Sequence, residues 1–141
     1  MGNAIANTDV INELTERANY FVEERVAKIP AQFKSQKDHI VHEMHKASPD
    51  SYKDLYIKDY PEKNEKQVSK LAIHNVTSNE VKHQIVEEIN GEVDPIIDAK
   101  TAHLNKLVRT ATKKTIHIAI EKSVRIAVNK VQAQLERDVG C

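Results

Sequence analysis

The sequence predicts an all-α protein, a bundle of five or six helices with a long C-terminal helix. Apolar residues recur at three- and four-residue spacing along most of the chain, which is the periodicity of one helix face. Only three Gly and four Pro occur among 141 residues, too few for the tight turns of a β-sandwich or barrel. This length suits one helical domain, residues 1–141, with a core of its own.

The first helix is expected to begin at Thr8 or Asp9, both good N-cap residues. Pro30 should end it, because proline disfavours helical geometry in the residue before it. Its apolar stripe comprises Ile11, Leu14, Ala18, Phe21, Val22 and Val26. A second helix is expected over residues 31–47.

Further helices are marked by start and stop signals. Ser48-Pro49 predicts the cap and first-turn proline of a short helix that ends before Pro61. Pro61 can start the next helix, through Asn75, and Thr77-Ser78-Asn79-Glu80 has the capping-box pattern that opens another. Asn90-Gly91 should end that helix, since this pair is favoured at helix C-termini.

Asp94-Pro95 repeats the cap-plus-proline start and opens the longest segment, from Ile96 to about Arg137. Its apolar stripe changes sides along the helix. One face carries Leu104, Leu107, Val108, Ala111, Thr115 and Ile118. The opposite face carries Ile116, Ile120, Val124, Ala127, Val131 and Leu135. The helix should therefore kink near Thr115, or bury its C-terminal half against a different partner, most simply a second copy.

A β-hairpin is the alternative for residues 116–128, because apolar and polar residues alternate there and β-branched residues are frequent. Its turn would be Glu121-Lys122-Ser123, which lacks Gly, Asn and Asp. Helix is therefore the preferred interpretation.

Charge divides the chain although the net charge is zero. Residues 1–99 carry 12 Lys and Arg against 18 Asp and Glu, whereas residues 100–141 carry 9 against 3. We therefore distinguish an acidic helical part, residues 8–93, from a long basic C-terminal helix, residues 94–138. The two parts could neutralise each other, or the basic helix could bind an anionic partner.

Lys106, Arg109 and Lys113 give the basic helix a candidate surface for anionic lipid or acidic protein. No aromatic residue is interleaved with them, so single-stranded nucleic acid is not expected as a partner. The competing interpretation is a solvated face that balances the acidic residues between Glu87 and Asp98.

His42 and His45 are the weak candidates for a metal site, since two His three residues apart share a helix face. The zinc motif His-Glu-x-x-His is one residue longer than His42-Glu43-Met44-His45. Neither a metal nor a cofactor is expected. No Gly-rich phosphate loop or nucleophile motif occurs, so the sequence predicts no enzyme and no small-molecule substrate.

Two sets of residues are candidate partner interfaces. Tyr52, Tyr56 and Tyr60 lie four residues apart, and tyrosines often anchor protein contacts. Val124, Val131 and Leu135 lie on the second apolar face of the long helix, where a coiled-coil contact could form.

Gly2 is a lipidation candidate, although Ala6 stands where the myristoylation pattern prefers Ser or Thr. The single Cys141 permits no disulfide within the chain, and no apolar run has the length of a membrane span.

We expect an intracellular protein, soluble or peripherally bound to membranes. Its expected role is structural, through self-association or docking to other proteins in a larger assembly, and a basic membrane-binding protein is the alternative. A metal-binding helical bundle ranks third.

Overall fold

The computed structural model describes the backbone of residues 2–47 and 62–140 and the side chains of residues 8–43 and 65–140. All regular structure in these residues is helical, which confirms the all-α prediction and the long C-terminal helix. The described helices are α1 Gly2–Val26, α2 Ile29–Ala47, α3 Glu62–Thr77, α4 Asn79–Lys100 and α5 Lys106–Asp138. The predicted helix that begins at Ser48-Pro49, with Tyr52, Tyr56 and Tyr60, lies outside the described residues.

The chain divides into two compact units. Unit 1 comprises residues 1–26 and 82–128, and unit 2 comprises residues 27–81 and 129–141. Most of α4 and the larger part of α5 belong to the same unit as α1, so residues on both sides of the charge border between residues 93 and 94 lie in unit 1.

The core of unit 1 consists of three rows of buried side chains, one on each helix, with members four residues apart. The rows are Leu14, Ala18, Val22 and Val26 on α1, Ile89, Val93 and Ile97 on α4 with Thr101 directly after its end, and Thr112, Ile116, Ile120, Val124 and Val128 on α5. The two threonines fit an apolar row because each hydroxyl donates to the carbonyl four residues earlier, at 2.7 Å for Thr101 and 2.8 Å for Thr112.

Ion pairs at the rim of unit 1 fix the directions of its helices. Arg25 donates to Glu92 at 2.5 Å, while Lys100 lies 3.2 Å from Glu13. Increasing residue number on α4 therefore accompanies decreasing number on α1, so these helices are antiparallel.

The same argument orients α5 against α4. Asp94 contacts His117 at 2.5 Å, and Asp98 contacts Lys113 at 2.9 Å. These helices are antiparallel too, so α1 and α5 run in the same direction. One hydrogen bond joins them, from the Ser123 hydroxyl to Asn19 Oδ1 at 2.9 Å.

Unit 2 is built on the packing of α2 against α3. Its buried side chains are Ile29 and Phe33 on α2, Val68, Ser69, Ala72, Ile73, Val76 and Thr77 on α3, and Leu135 on the end of α5. Lys37 on α2 lies 3.4 Å from Glu65 on α3 and 5.5 Å from the centre of the Phe33 ring.

Several helix boundaries confirm the sequence signals and others correct them. Helix α2 covers the predicted range, with Pro30 in its first turn, where the missing N–H removes no helical hydrogen bond. Helix α1 begins at Gly2, earlier than the predicted Thr8 or Asp9. At the start of α4 the cap is Ser78, whose hydroxyl oxygen accepts from the Val81 N–H at 3.2 Å; the Thr77 hydroxyl instead donates to Ile73.

The predicted helix end at Asn90-Gly91 is wrong, because α4 continues through Gly91 and Pro95 to Lys100. Proline within a helix loses one hydrogen bond and crowds the carbonyl four residues earlier, at a cost of about 3 kcal/mol. The buried side chains of Ile89, Val93 and Ile97 lie on both sides of Pro95. Each apolar side chain of this size contributes about 1.5–3 kcal/mol when buried, which outweighs the local penalty.

The chain instead breaks at residues 101–105, and α5 begins beside Asn105, whose Oδ1 accepts from the Val108 N–H at 2.9 Å. The proposed single segment from Ile96 to Arg137 is therefore two helices. Helix α5 is continuous through Thr115 in the described chain, and the kink expected near that residue stays a prediction. The two apolar faces of α5 differ in burial: the row containing Ile116 and Val124 is buried, whereas Leu107 and Ile118 are exposed.

Gly91 offers a test of the continuous α4. Its φ is not positive, and a methyl group added there meets no atom within 4 Å. Gly91→Ala should therefore raise the free energy of unfolding by about 0.5–1 kcal/mol, since alanine loses less backbone entropy than glycine when a helix forms. Chemical denaturation measures this change. The control is Gly140→Ala, which should give no gain because Gly140 has a φ of +74°. Destabilisation by Gly91→Ala would mean that α4 ends there.

Candidate interaction surface

The outward face of α5 in unit 1 combines uncovered apolar side chains with lysines. We call Leu107, Ala111, Lys114, Ile118 and Lys122 the α5 outer face; all five are exposed. Leu107 is 81% exposed and Ile118 is 58% exposed. Apolar side chains this open, grouped on one helix face with a basic rim, are typical of a surface that receives a partner.

This face results from the direction in which α5 enters the core. The row from Thr112 to Val128 points inwards, and at 100° per residue Leu107 and Ile118 then point to the opposite side. The sequence predicted two apolar faces correctly. It could not tell which face the other helices of the unit would cover.

The three predicted basic residues have different environments. Lys106 is exposed, whereas Arg109 is half-buried and its Nε makes no hydrogen bond to the described residues. Lys113 pairs with Asp98. The hydrogen bond from Lys113 is the main cause that lowers the pKa of Asp98; desolvation acts in the opposite direction, and the charges of Lys113 and Arg109 add to the lowering. Lys113 is therefore part of the α4–α5 contact.

Basic and histidine side chains of several elements contact the acidic stretch of α4. Glu88 and Glu92 receive hydrogen bonds from Arg25 of α1. Asp94 pairs with His117 of α5, while Glu87 lies 3.0 Å from His83 of α4 itself. Lys113 and His117 of the basic helix thus contact part of this stretch, and the choice between the two interpretations of its basic residues stays a prediction. Lys106, Lys114 and Lys122 have no ion pair within the described part of the chain.

The predicted interface residues of α5 do not share one environment. Val124 and Leu135 are buried within their own chain. They belong to the cores of unit 1 and unit 2 respectively, with exposed fractions of 0% and 6%. Val131 is half-buried and keeps part of its surface accessible. The tyrosines at 52, 56 and 60 lie outside the described residues.

A groove of about 320 Å³ lies on the surface between α4 and α5, next to the α5 outer face. Val86 and Ile118 form its apolar walls, and Asn90, Lys113 and Lys114 are among its polar residues. The Asn90 Oδ1 is buried and accepts no hydrogen bond within the described residues. Such an acceptor lowers stability unless another group donates to it.

Helix α1 presents a second exposed surface, which the sequence analysis did not identify. Tyr20 is 66% exposed, and Glu16, Glu23 and Glu24 surround it. We call these four residues the α1 outer face. The sequence did contain an indication of this exposure, because at 100° per residue Tyr20 lies on the side of α1 opposite the row that contains Leu14. However, tyrosine can occupy either the edge of a core or the solvent side.

The metal candidates are only partly described. His42 is exposed, and the side chain of His45 lies outside the described residues. No group of three His, Cys, Asp or Glu side chains in the described part of the chain has the arrangement of a metal site. Retention of metal through dialysis remains the measurement that tests this prediction. Gly2, the lipidation candidate, is the first residue of α1.

Comparison with protein-family models, with curated proteins and with solved structures finds no match to this chain. None of the described helices combines the length and the apolar character needed to cross a membrane. The proposed function therefore rests on the α5 outer face and the α1 outer face.

The pair of Lys113 and Asp98 predicts a specific titration. A lowered pKa means that ionised Asp98 stabilises the fold above its ordinary pKa of 3.8, and that this contribution is lost as the pH falls through the lower folded value. Lys113→Met should raise the pKa of Asp98 towards 3.8. NMR titration of the carboxyl groups measures the pKa of Asp98 in each variant. Lys114→Met is the control, because Lys114 makes no contact with Asp98; equal pKa values in the two variants would contradict the assigned pair.

Proposed function

We propose that this chain is a non-enzymatic structural protein that acts by self-association in a larger assembly. The observation that carries the proposal is the α5 outer face, where Leu107 and Ile118 remain uncovered within a folded helical unit. We include in the proposal an intracellular location and a bundle of five or six helices.

Physical reasoning supports an interface at this face. Burial of exposed leucine and isoleucine side chains contributes about 1.5–3 kcal/mol each, which is enough to drive association when several are buried together. The neighbouring Lys114 and Lys122 restrict the partner to a surface of opposite charge. The α1 outer face of the same chain has that charge, which favours a second copy as the partner.

Self-association is tested by the solution mass of the unmodified chain. We expect light scattering at tens of micromolar to give a mass above that of the 16.0 kDa monomer. Leu107→Ser with Ile118→Ser should raise the dissociation constant by about tenfold or more, because the two large apolar side chains of the α5 outer face are removed. Circular dichroism should remain unchanged, since both side chains are exposed.

The matched control is Leu71→Ser. Leu71 is a comparably exposed apolar residue, 49% accessible, but it lies on α3 in unit 2. Its replacement should leave the mass unchanged. A monomer at every concentration tested would rule out the proposed function.

A peripheral membrane protein is the second candidate function. The same observation favours it, because lysines around an exposed apolar stripe are characteristic of helices that bind anionic membranes. Each lysine near such a surface would contribute about 1 kcal/mol.

Anionic liposomes distinguish the two functions. On the membrane alternative, vesicles rich in phosphatidylserine would retain the chain at low salt and release it at high salt. Lys106→Glu, Lys114→Glu and Lys122→Glu together would abolish binding without disturbing the Lys113–Asp98 pair. We expect no sedimentation with liposomes. Salt-sensitive binding that the triple variant loses would establish the membrane function instead.

A further inference from the structure

We propose that the groove between α4 and α5 receives Tyr20 and the acidic α1 outer face of a second copy of this chain. This inference rests on the proposed self-association and identifies the two surfaces that meet.

The groove has the properties of an aromatic acceptor site with a basic rim. Val86 and Ile118 offer apolar contact for a ring. The Asn90 amide lies at the same groove, and its oxygen accepts no hydrogen bond from the described residues. A half-turn about the Cβ–Cγ bond exchanges the positions of this oxygen and the amide nitrogen, so that the oxygen can accept from an incoming donor. At the edge, exposed Lys114 carries positive charge, and the one carboxylate of the lining, Glu121, is paired with Arg125 at 2.9 Å.

The α1 outer face has the complementary chemistry. Tyr20 supplies an exposed ring and a hydroxyl that can donate to the Asn90 oxygen. Glu16 and Glu24 lie one turn before and after it, on the same side of the helix. Arg17 is the single base among the exposed described side chains between Asp9 and Glu24, so the surface is strongly acidic.

The positions of these surfaces make the contact head-to-tail. Helix α1 belongs to the same three-helix core as α4 and α5, and the groove between the latter two has no α1 residue in its lining. The groove therefore opens away from α1, and one pair of molecules cannot make both reciprocal contacts. A heterologous contact of this kind generates a ring or an open chain of copies.

Removal of the aromatic anchor is the first test. Tyr20→Ala should raise the dissociation constant of self-association by about tenfold or more, as expected for a central tyrosine. Tyr20→Phe should have a smaller effect, about fivefold, because it loses only the hydrogen bond to Asn90. Helicity should not change in either variant. Sedimentation velocity over a concentration series of the full chain provides the constants.

Charge reversal identifies the two surfaces together. The first variant carries Glu16→Lys and Glu24→Lys, and the second carries Lys114→Glu and Lys122→Glu. Each variant alone should remain monomeric, because like charges then meet across the contact. An equimolar mixture should recover the mass of the unmodified assembly, since every contact between unlike copies is again complementary.

The outcomes separate this inference from the proposed function. If the unmodified chain self-associates but neither the Tyr20 variants nor the charge reversals matter, self-association stands and the groove contact is refuted. A discrete dimer that does not grow with concentration also refutes the head-to-tail contact. A monomeric chain that binds anionic liposomes through Lys114 and Lys122 overturns both proposals.

Discussion

The three rows of buried side chains in unit 1 are the constraint on which the other features depend. Each row repeats every four residues, and this spacing fixes the rotation of α1, α4 and α5 about their own axes. Once Ile116 and Val124 point into the core, Leu107 and Ile118 must point away from it. Burial of Leu14 places Tyr20 in solvent by the same geometry. The exposed surfaces are therefore consequences of the core.

Electrostatic contacts determine which charges remain available. Arg25, His117 and Lys113 each pair with an acidic residue of α4, so these three bases belong to the contacts between helices. Such rim pairs contribute little stability individually. Their effect is on the surface: the positive charge of Lys114 and Lys122 on α5 and the negative charge around Tyr20 on α1 are left without internal partners in the described residues. A chain of zero net charge thus presents two surfaces of opposite sign.

Both proposed functions use the α5 outer face, and they differ in how specific the contacts with the partner must be. An anionic membrane needs only a density of positive charge and apolar side chains to insert. A protein partner also needs shape and directional hydrogen bonds. The groove beside the α5 outer face, with the unpaired oxygen of Asn90, provides such directional chemistry. This is why a second copy with an exposed tyrosine is the preferred partner.

The sequence by itself determined the helical class, the extent of α2, the boundary between α3 and α4 near Ser78, and the two apolar faces of α5. These features depend on interactions within a few residues, which local spacing and capping groups report directly. Only the tertiary structure decided that α4 continues past Gly91 and Pro95, that the chain breaks at Asn105, and that the Leu107 face is exposed. The reason is energetic. A cap or a helix-interior proline changes stability by about 1–3 kcal/mol, whereas burial of Ile89, Val93 and Ile97 together contributes more, and that burial depends on helices distant in sequence.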